Sequence, residues 1–285
     1  MSESSRAVLV TGCSSGIGAA TAARLAGAGW SVYATARRPE MLADLEAKGC
    51  KPLALDVIDE DSRRAAVDAV VEAEGAVGVL VNNAGFSQSG AVETVPDERV
   101  RAQFDTNVFG LLAMCRLVLP GMREQGWGKI VNISSMGGRF TFPGGGLYHA
   151  TKYAIEALSD ALRFEVKGFG IDVIVIQPGI IKTGFSKRTV AEIGAISQDG
   201  GPYGQFNQAV AEASTRVYEK GVMARLGGPP EDVAETIEKA LNASRPKARY
   251  PVTASARILM GMSAVLPDAA WDRVLEGSFP RPGKR

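Results

Sequence analysis

The chain has 285 residues, with 32 Lys and Arg against 31 Asp and Glu, three cysteines, one histidine and 33 glycines. That length fits one large α/β domain or two small ones, and a net charge of +1 supplies no basic field for nucleic acid. A hydrophobic share of 46% with 22% charged residues excludes a disordered chain, and no apolar stretch approaches the ~20 residues of a membrane span.

Ala7–Thr11 is a short apolar run ending in a glycine-rich turn, and Ala19–Ala28 then reads as a helix. Strands are expected at Ser31–Thr35 and Leu53–Asp56, a helix at Asp61–Ala73 and a strand at Val77–Asn82. A long helix follows at Asp105–Glu124, then a strand at Lys129–Ser134, a helix at Tyr148–Lys167 and a strand at Ile171–Gln177. These strands are continuous apolar runs, as expected when helices cover both sheet faces. Strand–helix alternation from the start means a doubly wound parallel sheet. After Thr183 the pattern loosens. Phe185–Gln205 is polar and is expected to be a mobile segment. Pro230–Ala243 reads as a helix, Tyr250–Val252 as a last strand, and Ala254–Ser263 and Asp268–Leu275 as short amphipathic helices before a basic, disordered end. No linker or internal repeat divides the chain.

Cys13, Cys50 and Cys115 have neither zinc-type nor Cys-x-x-Cys spacing, so no metal site is expected and a reducing compartment fits. The opening Met-Ser-Glu-Ser-Ser-Arg lacks a signal peptide's apolar segment. The expectation is a cytoplasmic protein.

The first turn reads Thr11-Gly12-Cys13-Ser14-Ser15-Gly16-Ile17-Gly18 between a strand and a helix. Glycines there let the backbone turn tightly and approach a pyrophosphate at the helix N-terminus. A tight turn without ligand is the alternative. The Gly-x-x-x-Gly-x-Gly spacing resembles the short-chain dehydrogenase/reductase family, and five further motifs follow in the family's order. Asn82-Asn83-Ala84-Gly85 follows a strand, Asn107 lies in the next helix, and Ser135 ends Val-Asn-Ile-Ser-Ser. Tyr148-His149-Ala150-Thr151-Lys152 gives Tyr-x-x-x-Lys, and Pro178-Gly179 with Thr183 gives Pro-Gly-x-x-x-Thr. The resemblance covers residues 7–183. It implies a Rossmann-type α/β fold, a doubly wound parallel sheet in a single domain, with 184–285 as a substrate loop and C-terminal helical extension.

The chemistry also follows from the residues. Tyr148 and Lys152 share a helix face, and a free Tyr with pKa near ~10 is a poor base at neutral pH. A nearby ammonium favours the phenolate, and Ser135 can donate a hydrogen bond to a substrate oxygen as charge develops. The resemblance implies that Lys152 also holds the nicotinamide ribose and that Asn107 supports a proton-returning water chain. The cofactor contacts expected by resemblance are Gly12, Ser14, Ser15, Gly16, Ile17, Gly18, Arg37, Arg38, Asp56, Val57, Asn83, Ala84, Gly85, Tyr148, Lys152, Pro178, Gly179 and Thr183. Asp56 has a second reading, as a helix cap.

The second strand ends Thr35-Ala36-Arg37-Arg38. Ala36 stands where NAD-using relatives keep Asp, and a guanidinium at Arg37 or Arg38 can fork onto a 2′-phosphate. NADP(H) is therefore expected ahead of NAD(H). His149 is expected at a pocket wall or the surface without a catalytic role, and Cys13 as a small buried filler. Phe140, Phe142, Leu147, Phe185, Tyr203 and Phe206 read either as the lining of a pocket for a bulky substrate or as core packing. Ala254–Leu266 reads as a helix docked on the body, a membrane or partner subunit being the other occupants of its apolar face. The expected function is hydride transfer between NADP(H) and a small-molecule carbonyl or secondary alcohol, of steroid- or retinoid-like character. A non-catalytic dinucleotide sensor on the same fold is the alternative. The family's habit implies a homo-dimer or homo-tetramer through the two long helices.

Overall fold

The computed structural model describes residues 4–184, 191, 193–194, 201–219, 222–277 and 279–283. Seven parallel strands form one sheet in the order β3-β2-β1-β4-β5-β6-β7. They are β1 (Val8–Val10), β2 (Val32–Ala36), β3 (Lys51–Ala54), β4 (Val79–Asn82), β5 (Gly128–Ile133), β6 (Ile171–Pro178) and β7 (Arg249–Val252). The helices are α1 (Gly16–Gly27), α2 (Ala43–Glu46), α3 (Glu60–Glu74), α4 (Asp97–Phe104), α5 (Leu111–Glu124) and α6 (Gly146–Glu165). Then come α7 (Gly204–Glu219), α8 (Val222–Arg225), α9 (Pro230–Asn242), α10 (Ala254–Val265) and α11 (Asp268–Glu276).

Successive strand residues point to opposite faces, and each face has its own core. Val8, Val10, Val79, Val81, Ile174 and Ile176 pack with Ala22 and Leu25 of α1 and Val233 and Ile237 of α9. Leu9, Leu80, Ile130 and Val173 pack on the other side with Val67 of α3, Met114 of α5 and Ile155 of α6. Because every strand runs the same way, their C-terminal ends share one edge. The chain leaves β1 and β4 at the switch in strand order, where doubly wound sheets bind ligands.

Several elements differ from the sequence reading. β3 lies at the sheet edge and is half-exposed along its length, not buried on both faces. The long helix begins at Asp97, earlier than Asp105, and Asp105–Gly110 is a π-helical turn joining α4 to α5. The polar, charged stretch Asp97–Phe104 offers little apolar periodicity, which hid it. α7 follows the loosely patterned segment and had no counterpart in the sequence reading. Of 185–205, expected to be mobile, positions 185–190, 192 and 195–200 lie outside the described residues, as does Phe185. Among the described residues no helix is long and apolar enough to cross a membrane.

Candidate active site

The glycine turn after β1 is locked onto the loop after β4. Thr11 Oγ1 accepts the backbone N–H groups of Asn83 (3.0 Å) and Ala84 (2.9 Å). The Asn83 amide donates back to the carbonyls of Thr11 (2.8 Å) and Gly12 (3.0 Å). Gly12 has φ +73°, and a Cβ there would come within 2.9 Å of Ala84 Cα. A Cβ on Gly18 would collide with the Gly12 carbonyl oxygen and the Asn83 amide nitrogen. Both positions therefore need glycine, one for conformation and one for close approach.

α1 starts at this turn with Ser15 as an uncapped N-cap and no acidic residue in its first turn. Ser14 and Ser15 are exposed, Gly16 and Ile17 half-buried. By contrast α3 is capped by Asp59, whose carboxylate accepts Ser62 N–H at 2.7 Å. The orphan N–H groups of α1 can thus hold an anion. The Thr183 methyl lies 3.4 Å from where a Gly16 Cβ would sit, so Thr183 stands over the start of α1.

Ala36 closes β2, and the exposed Arg37 and Arg38 follow, their guanidinium groups making no hydrogen bond or ion pair among the described residues. Asp56 accepts Ile58 N–H at 3.2 Å, making a local turn; the α3 cap is Asp59, not Asp56. Val57 is buried against Gly110 of the π turn, where a Cβ would meet Val57 Cγ2 at 2.9 Å. Gly85 lies 3.0 Å, by its missing Cβ, from Asn107 Oδ1. Pro178 ends β6 in register with Val252. Gly179 faces the start of α10: a Cβ there would strike the Thr253 hydroxyl and crowd Ser255 Oγ.

The second half of the edge is built by β5, the short turn after it, and α6. Ser135 caps the turn Met136–Gly138, its Oγ accepting Gly137 N–H at 3.0 Å. One turn beyond Tyr148 on α6, Lys152 is 6% exposed and donates to the Ile133 carbonyl at 2.8 Å. Its Nζ stands 5.5 Å from the Tyr148 ring centroid. Burial pushes the Tyr148 phenol well above its ordinary range, the Tyr218 phenol adds to this, and the Ser135 hydroxyl opposes it. Burial also lowers the Lys152 amine to about 8, against a pull upward by Glu156. The arrangement can deliver a proton from Tyr148 to an oxygen held by Ser135, with an ammonium beside the phenolate left behind.

Asn107 sits in the π turn, a feature often found at functional sites. Its amide donates to the Phe86 carbonyl (2.9 Å) and Thr151 Oγ1 (3.1 Å), and its Oδ1 accepts Phe86 N–H (3.0 Å). It ties the loop after β4 to α6 between Tyr148 and Lys152. Sequence reading assigned no role to Thr11 or Thr151, which hold this frame; a hydroxyl at a strand end and one inside Tyr-x-x-x-Lys were the available signals.

His149 is fully buried, a correction to its expected place at a wall or surface. Its ring is wedged between Gly137 and Gly145 and lies 4.3 Å from Phe142, edge-on. Burial lowers it to about 4. Cys13 is buried, with its thiol raised to about 12 by burial, the inert filler expected. The apolar set splits: Phe140 and Phe142 pack with Trp271 and Tyr218, while Phe206 and Tyr203 join Ala91 and Val210. Leu147 is half-buried. α10 docks on the body through Ala256 and Leu259, leaving Ile258, Met262 and Val265 exposed.

A family model described as short chain dehydrogenase matches residues 6–194. The chain belongs to the short-chain dehydrogenase family. It is an oxidoreductase of that family. Its relatives include a 3-ketodihydrosphingosine reductase from Bacteroides thetaiotaomicron, 37% identical over 92% of this chain and 93% of the relative. A short-chain dehydrogenase from Streptomyces avermitilis aligns with a TM-score of 0.77 at 34% identity, covering 98% of this chain and all of that one. A serine dehydrogenase complexed with NADP+ aligns at 0.74 with 29% identity over 87% and 94% of the two chains. NADH is held by another neighbour, a 3-ketoacyl-(acyl-carrier-protein) reductase from Brucella melitensis (0.69, 25% identity, 87% and 96% covered).

Proposed function

We propose that the protein is an NADP(H)-dependent reductase that interconverts a lipophilic ketone or aldehyde and its alcohol. The observation that carries this reading is the placement of the buried Lys152 amine 5.5 Å from the Tyr148 ring centroid, with Ser135 at the cap of the turn packed on α6. The dinucleotide fits the residues present: a glycine turn with no room for Cβ atoms at Gly12 and Gly18, an uncapped α1 terminus, and two guanidinium groups at the end of β2 that have no partner among the described residues. When bound, it supplies the hydride chemistry. In this reading Gly12, Ser14, Ser15, Gly16, Ile17, Gly18 and Thr183 cradle its pyrophosphate, and Asp56, Val57, Asn83, Ala84, Gly85, Pro178 and Gly179 flank its remaining parts.

In the reducing direction Tyr148 holds its proton until the substrate oxygen takes it, which a raised phenol suits. Ser135 donates to the same oxygen, so charge developing there is met before the proton arrives. Lys152, charged below about pH 8, stabilises the phenolate formed and would also hold the nicotinamide ribose. Asn107 fixes the π turn beside α6 and would support the waters that reprotonate Tyr148. The neutral Ala36 and the exposed Arg37 favour a 2′-phosphate over a bare ribose hydroxyl. A relative named for reducing a 3-keto sphingoid base and the apolar clusters around Phe142 and Phe206 support a lipophilic carbonyl. The exposed Phe109, Tyr153 and Phe164 on the π turn and α6 support self-association through the two long helices, readable by light scattering.

The test is a panel of ketones, aldehydes and alcohols with NADPH, NADH and their oxidised forms, followed at the nicotinamide absorbance. The expected result is turnover of apolar carbonyls with NADPH favoured in kcat/KM. No turnover despite tight NADPH binding would instead establish the sensor reading.

A further inference from the structure

α6 carries a second buried ionisable group one turn beyond Lys152. Glu156 is 5% exposed, and i and i+4 side chains of a helix are neighbours, long ones leaning toward its N-terminus. Glu156 therefore leans over the turn that bears Lys152. Its two oxygens are both engaged: Oε1 accepts the Gln177 amide of β6 at 3.0 Å, and Oε2 accepts Arg249 Nε of β7 at 2.8 Å. The other arm of Arg249 donates to Asp160 at 2.6 Å, and Asp160 also pairs with Arg163 at 3.1 Å. A Cβ on Gly138 would come within 2.9 Å of Glu156 Cγ and 3.1 Å of the Lys152 carbonyl. The turn that carries Ser135 thus rests directly on α6 between these two residues.

A buried carboxylate is costly unless paired, and a salt bridge alone rarely justifies the desolvation. What distinguishes this one is its neighbour. On α6 Lys152 stands between Tyr148 and Glu156, its Nζ donating to the Ile133 carbonyl of β5 beside the Tyr148 ring; Gln177 of β6 and Arg249 of β7 reach Glu156, Asn107 of the π turn holds Thr151, and Tyr218 of α7 acts on the phenol. Among these described groups Glu156 is the carboxylate, and Arg249 is the cation that shares it.

We propose that Glu156 is a positioning residue that supplies the counter-charge for the catalytic Lys152, and that Arg249, contributed by the C-terminal strand, sets how much of that charge Lys152 feels. The inference rests on the reading of Lys152 given above. The upward pull of Glu156 on the Lys152 amine, against burial, agrees with it. The consequence is that the last strand of the sheet is wired to the proton chemistry at β5 without touching substrate.

The experiment labels the full-length protein with 13C at lysine Cε and titrates the Lys152 signal, assigned by its loss in Lys152→Arg. Glu156→Gln, which keeps shape and hydrogen-bonding capacity, is expected to move the Lys152 midpoint down by about one unit. Arg249→Met is expected to move it up, and Glu156→Asp to restore most of the shift. General loosening of the fold would raise the midpoint in every variant, so a fall in Glu156→Gln separates the two causes. If Glu156→Gln does not fold, Arg249→Met with an unchanged melting profile carries the test. A midpoint that stays put in either folded variant overturns the proposal. The alkaline limb of carbonyl reduction is expected to shift with the NMR midpoint; a shifted midpoint in a protein that reduces no carbonyl would sink the proposed function and leave this inference standing.

Discussion

The two halves of the cleft are built on opposite plans. At β1 and β4 the site is made of backbone, with Gly12 and Gly18 pressed against Ala84 and Asn83 and the whole turn held by Thr11 and Asn83. At β5 and α6 it is made of side chains, with Lys152, Ser135 and Asn107 each held by a specific hydrogen bond. The first half is limited by volume at its glycines. The second turns on ionisable side chains, whose protonation burial shifts.

Substitutions can break that contrast. Gly18→Ala is expected to disrupt the first half most, because the new methyl meets a backbone carbonyl that has no rotamer to escape by. Overpacking of this kind costs about 1–3 kcal/mol, and dinucleotide affinity should fall with it; thermal melts with and without NADPH read both. An unchanged melting temperature and affinity would mean the turn is looser than drawn.

On the other side, His149 gives the fold a pH dependence that volume does not explain. Its buried ring is held at about 4, against an ordinary ~6.5 in the unfolded chain. A depressed folded value means that the stabilisation is present above pH 6.5 and is lost as pH falls toward 4. The gap corresponds to about 3 kcal/mol. Urea unfolding of the parent and of His149→Phe, at pH 7 and pH 4, should show the parent losing that much more. Parallel losses in both proteins would contradict it.

The smallest effect is expected at the exposed end of β2. Arg37→Ala should reduce the preference for NADPH over NADH in kcat/KM by about tenfold, the worth of one charge-assisted contact. A parent enzyme that uses both cofactors equally would remove the reason for naming NADP.

The contrast also explains what could be read in the sequence. Glycine spacing and Tyr-x-x-x-Lys are local, so the turn, Ser135, Tyr148 and Lys152 could be placed from residue order alone. The apolar runs located β1, β4, β5 and β6 because both their faces are buried, whereas β3, at the edge, was shifted by two residues. What stayed hidden depends on distant partners. The burial of His149 is set by Gly137, Gly145 and Phe142; the π turn follows a charged stretch with no apolar rhythm; and the pairing of Glu156 with Arg249 spans strands far apart in the chain. Arg249 in particular looks like an ordinary surface arginine until β7 is laid beside β6.

Tyr148→Phe tests the central claim most directly, since it deletes one oxygen and leaves the ring in place. NADPH binding, followed by fluorescence, should remain within a few-fold of the parent, while reduction of any carbonyl the parent accepts should fall by about 10²–10⁴-fold, the usual share of general acid catalysis. Turnover near the parental rate in Tyr148→Phe would contradict the assignment of Tyr148 as the proton donor and, with it, the account of the cleft.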